Sequence, residues 1–81
     1  MIRTETILVF RSIHDAIMGE RQLLDSNIEV RVMPTPRSIG PGCTMVLRIN
    51  SDDIAKAKAE LGESIFGIFY REGEEFIPWS G

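Results

Sequence analysis

The sequence predicts an α+β sandwich, an antiparallel sheet carrying two helices on one face, and three observations lead to it. The 81 residues hold one modest core and no more. Apolar residues recur with strand, helix, strand, strand, helix, strand periodicity in that order. Between the second and third strands lies a stretch, residues 33–43, with three of the four prolines, two of the seven glycines and the single cysteine.

Residues 6–10 form a continuous apolar run, Ile7-Leu8-Val9-Phe10, suited to a central strand covered on both faces. Ser12 stands where a helix N-cap belongs, with Asp15 three residues on as a short capping-box acid. Ile13, Ala16, Ile17, Leu23 and Leu24 recur at helical spacing and are expected inward. Asp15, Gly19, Arg21 and Gln22 are expected to be solvated. Asn27 suits a left-handed terminator.

Ile28, Val30 and Val32 alternate with Glu29 and Arg31, a half-buried strand. Prolines stiffen the following loop by fixing φ, and its glycines allow tight turns. Cys43, Met45, Leu47 and Ile49 then share one phase of a third strand. Ser51-Asp52-Asp53 opens a second helix, with acids where the helix dipole favours them, and Gly62 closes it. Ile54, Ala57, Lys58 and Leu61 share one side of that helix. Residues 65–70 make the last strand, so residues 1–71 read as the domain. Residues 72–81 read as a tail, part of which docks through Phe76, Ile77 and Trp79.

In this length, that element order matches the ferredoxin-like βαββαβ unit, with four strands in the order 4-1-3-2. The first and second strands then run parallel and end at one edge of the sheet. Cys43, heading the third strand, would meet Arg11, Ser12 and the first turn of helix one there. The N–H groups of that turn, together with Arg11 and Arg37, would favour a thiolate, and His14 could accept a proton or donate a hydrogen bond. A second reading stands beside this one. Cys43 is then a small core residue, His14 a solvated surface histidine and Arg37 a solvated end to a rigid turn.

The net charge of -3 and the scattered lysines and arginines exclude a nucleic-acid surface. One cysteine and one histidine make a structural metal site or internal disulfide an unsuitable expectation. No cofactor is expected. No apolar run reaches the roughly 18 to 20 residues that span a bilayer, and the N-terminus has no signal-peptide pattern. The expectation is a cytoplasmic protein whose thiol stays reduced.

The pattern Leu8-Val9-Phe10-x-Ser12-x-His14-x-Ala16, then Ile28-x-Val30-Arg31-x-x-Pro34-Thr35-Pro36-Arg37, then Cys43-x-x-x-Leu47-Arg48 resembles the selenium/sulfur carrier protein-like family. The resemblance covers roughly residues 6–71. It implies that Cys43 bears a transferred chalcogen, with His14 and Arg37 as neighbours, and that the partners are sulfur or selenium donor and acceptor proteins. This chain departs from the family pattern at the cysteine, which Gly42 precedes where a following glycine is expected. A different class of function remains open: an interaction or regulatory module. Its sheet face opposite the helices, built from Ile7 or Val9, Val46 and residues 65–69, would be apolar and would pair two copies.

Overall fold

The computed structural model describes residues 5–36, 39 and 45–79. The elements are β1 (Glu5–Phe10), α1 (Ile13–Asp25), β2 (Val30–Pro34), β3 (Met45–Asn50), α2 (Ile54–Leu61), β4 (Ile65–Glu72) and β5 (Glu75–Pro78). Short 3-10 turns, Ser51–Asp53 and Gly62–Ser64, flank α2. The fold is α+β, with every strand pair antiparallel.

The expected four-stranded sheet is corrected: five strands lie in the order β2-β3-β1-β4-β5. The extra strand comes from the stretch expected to be a tail. It folds back on β4 through a two-residue turn in which Gly73 takes φ 65°, a left-handed value that glycine tolerates without strain. Arg71 then faces Phe76, and the Trp79 N–H donates to the Ile68 carbonyl at 2.9 Å.

As its apolar run suggests, β1 is central and its residues 6–10 are all buried. Leu8 and Phe10 point to the helix side, joining Leu47 and Ile49 of β3 with Ala16, Leu23, Ala57 and Leu61 of the helices. Ile7 and Val9 point to the other side with Val46, packed by Met33, Ile39, Phe69 and Phe76. Thr6 is fully buried and its hydroxyl lies 2.8 Å from that of Ser51, so the polar atom enters the core already paired.

The second cluster corrects an expectation. On the face opposite the helices, Ile7 and Val46, expected on an open apolar face, are 0% exposed within the single chain, covered by Met33, Ile39, Phe69 and Phe76. Ile39 folds under the sheet from the proline loop, and Phe76 comes from β5. Neither covering residue could be placed there without knowing how the loop and the fifth strand run.

Helix α1 supplies another correction. Its buried residues are Ala16, Gly19 and Leu23, whereas Ile13, Ile17 and Leu24 are exposed. The spacing i, i+3, i+7 is helical, but the buried stripe is rotated from the one hydrophobicity alone selects. The cause is steric: a Cβ on Gly19 would stand 3.0 Å from two carbons of the Phe10 ring. Two small residues let the helix settle onto a large ring, at a helix-propensity cost of about 1 kcal/mol for the glycine. The Gln22 amide donates to the Glu60 carbonyl at 2.6 Å and the Ser26 hydroxyl to the Glu60 carboxylate at 2.9 Å, tying α1 to α2.

Helix ends follow the sequence closely. Asn27 takes φ 63° after α1, and Gly62 takes φ 53° after α2. Ile54, Ala57 and Leu61 are buried, but Lys58 is exposed, its ammonium 4.6 Å from the centre of the Trp79 ring.

Candidate functional site

The strands β1 and β2 end at one edge of the sheet. Both strands are antiparallel to β3, so they run parallel to each other. Leu8 of β1 and Val32 of β2 flank Leu47, and Pro34 faces Met45. The ends of β1 and β2 and the start of β3 therefore share one edge. The start of β4 joins them, since Ile65 pairs with Phe10. Helix α1 begins at this edge.

Ser12 occupies the cap as expected. Its backbone is extended (φ -147°, ψ 162°), its Oγ accepts the Asp15 N–H at 3.1 Å, and its carbonyl accepts the Ala16 N–H at 3.1 Å. We expect Ser12→Ala to lower stability by about 1 kcal/mol and Ser12→Asp to retain most of it, read from urea unfolding midpoints. A loss in Ser12→Ala below a few tenths of a kcal/mol would mean that the hydroxyl does not serve the helix.

His14 lies in the first turn with its side chain 84% exposed, Nδ1 4.0 Å from the Asp15 carboxylate. Its neighbour in the chain, Asp15, thus sets the local charge beside it. Arg11 is anchored. Its guanidinium donates to the Glu63 carbonyl at 3.3 Å and lies 5.2 Å from the centre of the Phe66 ring. Both partners belong to the β4 side of β1, whereas Met45 belongs to β3 on the other side. Ser12, His14 and Arg11 thus share an edge, but Arg11 turns toward β4.

Arg37 and Cys43 lie outside the described residues. Around them in sequence, the Ile39 N–H donates to the Pro36 carbonyl at 3.1 Å, and Ile39 packs on the Ile7, Val9 and Val46 cluster. The strand expected from Cys43 is described from Met45, and Met45 packs on the helix-side core in the phase expected.

Phe66 was not legible as a feature of this edge. Between the Val9–Gly67 and Phe10–Ile65 pairs, β4 carries one extra residue, a bulge that places Phe66 outward at 64% exposure. No periodicity marks such an insertion. At the opposite end of β3, Ser51, Asp52, Ile54, Ala55, Lys58 and Trp79 line a groove of about 540 Å³, which holds none of the residues singled out for chemistry.

Among the described residues, no group of three or more His, Cys, Asp or Glu is arranged to hold a metal ion. No helix among them is long and apolar enough to cross a membrane. Compared with known proteins, residues 5–71 match the model of the family described as "Putative Se/S carrier protein-like". Neither curated proteins nor solved structures gave a match.

Proposed function

The chain belongs to the Se/S carrier protein-like family, and from that we infer that it carries a chalcogen on Cys43 between a sulfur or selenium donor protein and an acceptor protein. The observation that carries the reading is the family match over residues 5–71, which include the only thiol in the chain. The shared edge of β1, β2 and β3 supports it, because the sequence from Pro34 to Met45 leaves and re-enters the sheet beside the start of α1. We read the architecture as ferredoxin-like with an added edge strand.

The step is an exchange without net oxidation. The Cys43 thiolate attacks the terminal sulfur of a donor persulfide, a new S–S bond forms at Cys43, and the donor departs as a thiolate. The acceptor repeats the exchange in the other direction. A persulfide is a reversible cap, so the carrier needs access and anion stabilisation but no enclosed pocket. In this reading the start of α1, capped by Ser12, together with Arg37, favours the anion. His14 takes or returns a proton. Arg11 contributes at longer range, from its place beside Phe66. The chemistry suits the cytoplasm, where a lone thiol stays reduced.

Incubation with a cysteine desulfurase and cysteine, followed by intact-mass measurement, tests this. The expected product gains one sulfur, about 32 Da, is cleared by a thiol reductant and is absent in Cys43→Ser. An adduct that survives in Cys43→Ser, or no adduct at all, refutes the assignment.

A further inference from the structure

We propose that two copies of this chain pair through the free edge of β2, antiparallel about Val30, with the exposed flank of α1 packing alongside. The surface is assembled from two elements. Ile13, Ile17 and Leu24, each about half exposed, lie on one stripe of α1. That stripe is roughly 110° round the helix from Ala16, Gly19 and Leu23, on the side away from Gln22 and Ser26, which face α2. Since α1 covers the sheet on the side of β2 and β3, the stripe borders the β2 edge. There Val32 is 43% exposed and belongs to an outermost strand. An unpaired edge next to an apolar helix flank is a template for another strand.

Charge identifies a second copy as the occupant. Arg31 faces Arg48 across the β2–β3 ladder, a like-charge pair that costs stability. Arg48 is satisfied by Glu5 at 3.1 Å, which also receives Arg71 at 3.5 Å, whereas Arg31 has no ion-pair partner among the described residues. Glu29, exposed and immediately before β2, also has none among them. In an antiparallel pair centred on Val30, each Glu29 stands opposite Arg31 of the other copy, twice by symmetry. Val30 faces its twin, and Val32 comes opposite Ile28, which is buried in its own chain with its N–H donating to the Leu23 carbonyl at 3.0 Å, so the seam is centred on residues 29–31. Shifting the centre to residue 31 would oppose the two Arg31 side chains. Shifting it to residue 32 would put Pro34, which has no N–H to donate, into the ladder. The register about Val30 avoids both and leaves the Pro34 end of β2 outside the seam. The proposal does not depend on the carrier reading.

Sedimentation velocity of the full chain, in a thiol reductant so that no disulfide joins the copies, is the test. Between about 1 and 200 µM we expect a monomer–dimer equilibrium. Glu29→Arg and Arg31→Glu should each weaken it about tenfold, and the double exchange should return it to within about threefold of the original. Leu24→Glu should also weaken it, with unchanged far-UV circular dichroism showing that all four variants fold. A monomer throughout the range overturns the proposal. So does a dimer indifferent to the single charge reversals, or a double exchange as weak as the single ones.

Discussion

Phe10→Ala is expected to remove about 3–5 kcal/mol of unfolding free energy, measured by urea titration followed by circular dichroism. Phe10 is 1% exposed and lies in the cluster that joins β1 and β3 to both helices. Truncation forfeits the transfer free energy of the ring and leaves a cavity that cannot collapse easily. On one side of it Gly19 has no side chain to move in, and on the other the β1 backbone is held between β3 and β4. For a domain of this length the whole margin is about 4–12 kcal/mol, so the variant should lose a large part of it.

The same contact makes a paired prediction within this experiment. Gly19→Leu should destabilise by about 1–3 kcal/mol in the parent chain because its first carbon already meets the Phe10 ring. In Phe10→Ala the added leucine has room, so its cost should shrink or change sign, and a double-mutant cycle should show strong coupling. Additive effects would mean that Gly19 is buried for some other reason. A Phe10→Ala cost under about 1 kcal/mol would remove the ring from the centre of the core.

This contact also explains the limits of reading the sequence. Strands were legible where period-two alternation met burial: Val30 and Met45, Leu47 and Ile49 all pack toward the helix side. Helix ends were legible too, because capping at Ser12 and positive φ at Asn27 and Gly62 are local chemistry. The buried side of α1 was not, because hydrophobicity ranks Ile13, Ile17 and Leu24 above Gly19. Only the position of the Phe10 ring makes a glycine the better inward residue. The bulge at Phe66 and the strand Glu75–Pro78 depend on pairing with a neighbour and leave no periodic trace of their own.

At the candidate site, Ser12 and its edge followed from capping and strand order. The turn of Arg11 toward Phe66 and Glu63 did not, because long side chains take their direction from tertiary partners.

The closure of the sheet face opposite the helices leads to the other large effect. Val46→Asp is expected to unfold the chain at neutral pH, a loss of more than about 4 kcal/mol. Val46 is fully buried among Ile7, Val9 and their covering residues, which offer a carboxylate no partner within that cluster. Burial would raise the folded-state pKa of the new carboxyl above its unfolded value of about 3.9. The folded form then holds its proton more tightly, so the loss grows as pH rises above about 4 and is smallest below that value. Stability measured at pH 3.5 and 7, each relative to the parent chain at the same pH, should show this slope. Phe66→Asp serves as the exposed comparison, since a carboxylate there stays in water near Arg11 and should change stability by less than about 1 kcal/mol. If the face were instead open and covered only by a second copy, Val46→Asp would give a folded monomer with near-parent stability. That outcome would contradict the packing of Ile39 and Phe76 against the sheet. Unfolding with the stated pH slope would show that the chain buries Val46 by itself, under Met33, Ile39, Phe69 and Phe76.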